Sequence, residues 1–228
     1  MAGLSVVIPT LNEARYLPLL LADLHRWRDS SQIIVVDGGS TDRTIQVALQ
    51  GGAIAVQSPI KGRGQQLKWG IQFAQNSWLL VLHADSRLSV DWVNQVAKVQ
   101  ACCLPRRAAW TFAFRIDERR PMLQLLEWCV NIRSRWKQIP YGDQGLLIHR
   151  SLYDLSGGYR PLALMEDLDL VLRLRRISRI GILGCALTTS GRSWKKRGVL
   201  KTAWRNAQLR QRWTNGDSPD QLLEVYRS

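Results

Sequence analysis

The chain has 228 residues, 46% of them hydrophobic, and a formal net charge of +14. That length and composition suit one substantial core and exclude a chain disordered throughout, and no apolar run reaches the length that spans a bilayer. The positive charge points to polyanionic partners: nucleic acid, anionic lipid or a phosphorylated substrate.

Residues 4–10 read as a buried strand ended by Pro9. After Asn12 and Glu13, the spacing of Leu17, Leu20, Leu21 and Leu24 predicts a helix with one apolar face. A strand over 32–36 follows, then a helix over 43–50 capped from Ser40, Thr41 and Asp42 and stopped by Gly51 and Gly52. Residues 53–57 predict a short third strand. Lys61-Gly62-Arg63-Gly64 predicts a basic glycine loop before a helix over 65–74, and 78–82 a fourth strand. The second half predicts helices over 90–99, 121–136 and 168–174, with strands over 110–116, 144–148 and 180–187. Residues 199–213 predict a basic helix with tryptophans.

Strand and helix alternating at this rhythm predict an α/β fold around a parallel sheet with right-handed crossovers. No repeat or composition break interrupts the chain, so one domain over 1–228 is expected. It divides into a nucleotide-type half (1–88), an acceptor and catalytic half (89–190) and a basic helical tail (191–228). Cys102, Cys103, Cys129 and Cys185 form no CxxC pair and fit neither a zinc site nor a disulfide framework. They read as thiols of a reducing cytosol. The N-terminus has no basic leader or cleavage site ahead of its first strand, which predicts an unprocessed, cytoplasmic protein.

Two apolar runs end abruptly in acids: Ile33-Ile34-Val35-Val36 in Asp37, and Leu79-Leu80-Val81-Leu82 in His83-Ala84-Asp85. Buried parallel strands deliver carboxylates this way to the sheet edge where open α/β folds bind ligands. Asp37 can accept hydrogen bonds from a ribose or base, whereas Asp42 reads as a helix cap. Arg63 and Lys61 offer cations to a diphosphate, although the loop is neither a Walker motif nor GxGxxG. His83 and Asp85 lie on the same side of an extended segment. Asp85 suits Mg²⁺ or Mn²⁺ beside a diphosphate, while His83, a poor ligand for Mg²⁺, is expected to hydrogen-bond. Glu166, Asp167 and Asp169 open a helix, where acids complement its dipole. Three acids where one cap suffices suggest that one is a general base, with Asp143 as rival base or acceptor-binding residue. Arg192, Trp194 and the later basic and tryptophan residues suit an anionic surface or an arginine closing over a diphosphate, beside the plainer reading of a packed helix with a solvated basic face.

The ordered stretches Ser5–Glu13, Val36–Asp42, Gly62–Gln66, Leu82–Ser86, Tyr141–Gly145, Met165–Asp169 and Ser190–Trp194 resemble family 2 glycosyltransferases of GT-A fold. They especially resemble the radical-SAM/selenodomain-associated branch, also labelled arsenosugar-biosynthesis type. The resemblance covers nearly the whole chain. It implies a Rossmann-like, mostly parallel sheet flanked by helices, with the basic helix at the C-terminus, and an inverting transfer from a nucleotide sugar, most simply a UDP-sugar. Pro9, Thr10, Glu13 and Asp37 would contact the nucleoside, and Arg63, His83 and Arg192 the rest of the donor. Asp85 would hold Mg²⁺ or Mn²⁺ as the last acid of the DxD motif, whose first acid is His83 here. Asp167, beside Glu166, would be the base, and Asp143, Gln144 and Trp194 would meet a small-molecule or lipid acceptor. Contact with an anionic membrane at its cytoplasmic face fits the tail, and nucleic acid is disfavoured. Two other classes stand against this reading. A nucleic-acid or lipid-surface binder would use only the tail and leave the acids idle. A sugar-phosphate nucleotidyltransferase would need a glycine-rich triphosphate loop near the first strand, where none occurs.

Overall fold

A computed structural model of the chain describes residues 2–28, 31–102, 108–192, 198–219, 221–222 and 225. The first half alternates as expected: β1 (Leu4–Thr10), α1 (Leu17–Leu24), β2 (Ser31–Asp37), α2 (Thr44–Gln50), β3 (Ile54–Gln57), α3 (Arg63–Gln72) and β4 (Trp78–Val81). Next come β5 (Ser86–Leu88), α4 (Trp92–Ala101), β6 (Ala108–Ile116), α5 (Pro121–Lys137) and a 3-10 turn (Gly142–Gln144). Then follow β7 (Leu146–His149), α6 (Arg150–Leu155), α7 (Glu166–Ile177), β8 (Arg179–Thr189) and α8 (Val199–Thr214).

The strands form one sheet in the order β3-β2-β1-β4-β7-β6-β8-β5. Pairings among β1, β2, β3 and β4 are all parallel. Every residue of β1 is buried, because helices cover both faces, and such strands read as continuous apolar runs. Alternate residues serve opposite cores. Leu4, Val6 and Ile8 pack with α1 and Trp92, while Val7, Ile34 and Val36 pack with Leu67 and Ile71 of α3 and Leu170 and Leu174 of α7. Beyond β4 the sheet becomes mixed: β7 is antiparallel to β4 and β6, and β8 is parallel to β6 but antiparallel to β5.

Three features depart from the sequence expectations. Arg63 and Gly64 belong to the first turn of α3, not to a loop, and a Cβ on Gly64 would lie 2.7 Å from the backbone oxygens of Arg160 and Leu162. Gly64 therefore admits the chain's own backbone, not a phosphate. Gln144 ends the 3-10 turn instead of opening β7. The strand β5 and helix α6, of three and six residues, are too short for periodicity to announce. At the far end, α8 turns Thr202 and Leu209 inward and leaves Trp204 exposed. Among the described residues no helix is long and apolar enough to cross a membrane.

Candidate active site

Strand pairing decides which residues meet at the carboxyl edge of the sheet. Thr10 lies opposite Asp37 and Val7 opposite Val81, so the ends of β1, β2 and β4 share one level. Antiparallel β7 pairs Leu146 with Val81, which sets the Tyr141–Gly145 segment beside His83. Ser86 pairs with Thr189, so the residue before β5, Asp85, meets the residues that follow β8.

The nucleoside-side candidates are heavily engaged within the protein. Asp37 accepts the Gly39 and Ser40 N–H groups, both at 2.8 Å, and the Ser40 hydroxyl, which rigidifies the turn after β2. Thr10, 2% exposed, donates to the Val36 carbonyl. Pro9 is buried within β1. Asp42, expected to cap α2, lies one residue before its N-cap Arg43 and accepts from Thr44 N at 2.9 Å and also from Ala14 N. Gln66, which sequence reasoning did not single out, donates its buried amide to Thr10 O and Val36 O at 2.8 and 2.7 Å and so locks the ends of β1 and β2 together. A glutamine on an otherwise inward helical face was the available signal.

Asp85, Glu13 and Arg192 form the first charged group. The Arg192 guanidinium donates to both Glu13 oxygens and lies 3.2 Å from Asp85 Oδ2, with the Tyr16 ring beneath it at 4.8 Å. Burial raises the carboxyls of both Glu13 and Asp85, and Arg192 offsets part of that rise. The expected proximity of Arg192 to the strand-end acid is thus present, and Glu13 joins it.

His83, Asp167, Glu166 and Arg63 form the second group. Arg63 is ion-paired with the buried Glu166. Asp167 Oδ2 accepts the Gly142 N–H at 2.7 Å and Oδ1 accepts Leu168 N–H at 2.8 Å. Burial favours its protonation, but Arg63 and these two donors outweigh burial and hold its carboxyl below the usual range. His83 is pushed down to about 3 by burial, with Arg63 next in effect, so the imidazole is neutral at physiological pH. A Cβ on Gly142 would fall 2.8 Å from Asp167 Oδ2 and 2.9 Å from His83 Nε2, so only glycine fits between them. The third acid of this helix, Asp169, is spent on Arg160 and Arg173 at 3.3 and 2.6 Å.

The third group surrounds Asp143. Burial pushes its carboxyl up to about 6, Arg133 pulls the other way, and Oδ1 has no hydrogen-bond partner among the described residues. The buried Tyr141 hydroxyl and Arg133 Nη2 are likewise unpartnered, and the Arg133 guanidinium lies 3.8 Å from the Tyr141 ring centre. Orphaned buried polar atoms mark a place where water or ligand belongs. Gln144, expected to touch an acceptor, does not face this space. It is fully buried, its Oε1 accepts from Ser134 Oγ at 2.7 Å and its Nε2 donates to Phe112 O. Its part is to hold the turn that presents Asp143. Trp194 lies outside the described residues.

Among the described residues no three His, Cys, Asp or Glu side chains gather into a cage for a metal ion. Asp85 and Glu13 present carboxylates at this edge with the Arg192 guanidinium against them. Mg²⁺ and Mn²⁺ bound to a diphosphate need one or two protein carboxylates, so this donor set fits an ion that arrives with its diphosphate.

Comparison with known proteins agrees with this geometry. Residues 5–101 match the family model described as Glycosyl transferase family 2. A PGL/p-HBAD biosynthesis glycosyltransferase of Mycobacterium bovis is 35% identical over 101 residues, a match covering 41% of this chain and 40% of the relative. The matched stretch thus spans well under half of that relative's length. Among solved structures, the mannosyltransferase PcManGT from Pyrobaculum calidifontis, in complex with GDP-Man and Mn²⁺, superposes with a TM-score of 0.68 at 20% identity. That match covers 98% of this chain and 68% of the other. Staphylococcus aureus TarS 1–349 in complex with UDP gives 0.66 at 17% identity, over 82% of this chain and 60% of the other. The fold is therefore the GT-A fold, and residues 5–101 are similar to the glycosyl transferase family 2 model.

Proposed function

We propose that the chain is an inverting glycosyltransferase that moves a sugar from a nucleotide donor, most simply a UDP-sugar, onto an acceptor hydroxyl, the whole chain acting as one catalytic unit. The carrying observation is the division of charge along one sheet edge. Glu13 and Asp85 share Arg192, whereas Asp167 meets His83 around Gly142, the residue before Asp143. A donor diphosphate suits the first of these groups, where Arg192 can turn from the acids to the phosphates. The UDP complex of TarS and the GDP-Man and Mn²⁺ complex of PcManGT support a nucleotide donor as such. A divalent ion bound at Asp85 would supply positive charge for the leaving diphosphate. Neutral His83 adds no charge to the centre of the site.

On the acceptor side Asp167 takes the hydroxyl proton. Its carboxylate is ionised at neutral pH and fixed by two N–H groups, so it is held in place when the nucleophile arrives. Asp143 and Arg133 hold the acceptor, and the basic tail adds contact with anionic surfaces at a cytoplasmic membrane face. The narrower likeness to the radical-SAM-associated branch belongs to the same reading.

The test begins with melting curves in UDP, GDP and CMP, each with and without Mn²⁺. One nucleotide raises the melting temperature in a metal-dependent way, and Asp167→Asn keeps that shift while sugar transfer falls by about 100-fold or more. Unaltered turnover removes Asp167 from the base role. A second reading, with Asp143 as base, is favoured by its carboxyl near 6 and its unpartnered oxygen. The rate profile separates the two: an acid limb near pH 6 selects Asp143, and one below the ordinary carboxylate range selects Asp167.

A further inference from the structure

Helix α5 carries apolar side chains on two opposite faces. Leu123, Val130 and the partly buried Leu126 pack inward on Phe114 and Ile116 of β6. Met122, Leu125, Trp128, Ile132 and Trp136 recur three or four residues apart and so line the other side as one stripe. All five are exposed, Trp128 by 62% and Trp136 by 81%. The outward face of a surface helix is ordinarily polar, and a continuous exposed apolar stripe marks a contact surface.

Charge identifies the partner. Arg135 and Lys137 are exposed in the last turn of the helix, whereas at its start Arg119 and Arg120 stand beside Asp117 and Glu118, with Arg120 ion-paired to Glu118 at 3.3 Å. The helix holds one acid, Glu127, whose carboxylate turns inward to accept the Ile116 N–H at 2.7 Å. The stripe is thus apolar, rich in tryptophan, cationic at its C-terminal end and without an outward acid within the helix itself. A bilayer with anionic headgroups matches each of these properties: tryptophan settles at headgroup level, aliphatic side chains enter the acyl boundary and cations meet phosphates. A second copy of the chain fits less well, since each copy brings a net charge of +14. We propose that α5 lies flat in the interface of an anionic membrane with this stripe downward, and that it is a principal membrane-docking surface of the protein. The same helix runs on into the Tyr141 turn and carries Arg133, so the docked face adjoins the acceptor side of the site. What that adjacency means for catalysis rests on the proposed transferase reading; the docking itself does not.

The full chain is to be sedimented with vesicles of phosphatidylglycerol and phosphatidylcholine, and with vesicles of phosphatidylcholine alone. The expected result is binding to the anionic vesicles only. The double variant Trp128→Ser, Trp136→Ser loses about tenfold or more of that partition. It keeps its far-UV circular dichroism and any nucleotide-induced melting shift, so a failure of docking is distinguishable from a failure of the transferase reading. A tail variant, Lys201→Ser with Trp204→Ser, retains most of the binding. No vesicle binding by the wild type overturns the proposal, as does loss in the tail variant with none in the α5 variant. A lipid-free dimer in sedimentation velocity that the α5 substitutions dissolve also overturns it, in favour of a second copy on this face.

Discussion

At the scale of single residues, environment separates carboxylates that look alike in the sequence. Asp143 has its carboxyl at about 6 against an ordinary 3.8, chiefly through burial. A raised acid contributes stability that is fully present below its unfolded value and lost as pH climbs through the folded one. Here that window runs from about pH 4 to about pH 6, and at higher pH the buried charge costs about 3 kcal/mol. Asp143→Asn should therefore melt higher than the wild type at pH 8 and show no advantage at pH 4. Equal shifts at both values would mean that the carboxyl is not buried as described. Asp85 sits in a different setting, because Arg192 keeps Glu13 as a partner when Asp85 is removed. Asp85→Ala should leave this edge in shape and weaken calorimetric binding of UDP with Mn²⁺ by about tenfold or more, while binding of UDP without metal changes little.

At the scale of elements, α3 lies very close to the sheet. A Cβ on Gly70 would stand 2.4 Å from Val36 Cγ2 and 2.8 Å from Val7 Cγ1, and both valines are fully buried. Gly70→Ala should cost about 1–3 kcal/mol, measured by denaturant unfolding, since neither valine can yield without moving its strand. Gln66, one turn earlier, depends on the same close approach to reach Thr10 O and Val36 O. The parallel strands and their helices were legible in the sequence because burial on both faces leaves long apolar runs between glycine and cap signals. The basic glycine segment was misplaced for a physical reason. Gly62 and Gly64 give the composition of a loop, but Gly64 is small so that the start of α3 can meet the 160–162 backbone.

At the scale of the whole molecule, α1 is tied to the edge strand β5 through Asp23, which is 1% exposed. It accepts from Arg87 Nε at 2.7 Å and Leu88 N at 3.0 Å on β5, and pairs with Arg26 at 3.1 Å. Arg87 and Arg26 are 46% and 40% exposed, so both can find water if the carboxylate is removed. Asp23→Ala should consequently cost about 1–3 kcal/mol in chemical denaturation, chiefly from the stranded Leu88 N–H, rather than the larger penalty of an isolated buried charge. Nothing in the local pattern around Asp23 reveals this tie, because Arg87 and Leu88 lie more than sixty residues away. The same limit applies to the candidate site. Asp85 and Asp167 were legible as strand-end and helix-start acids and Arg192 as a cation of the basic tail, whereas the saturation of Gln144, the charge of Glu13 against Arg192 and the vacant partners of Arg133 and Tyr141 arise only from pairings across the sheet.

The order in which the chain is made gives the remote pairing of β8 a kinetic meaning. The β1 to β4 unit closes through neighbours in sequence and can form while the rest is still being synthesised. β6 must wait for β8, and Arg192 lies 179 residues from Glu13. Until β8 docks, β6 presents an open strand edge, the state in which misassociation competes with folding. β8 is also the strand that carries Arg192 to the acids, so the group of Glu13, Asp85 and Arg192 assembles only after β8 has emerged.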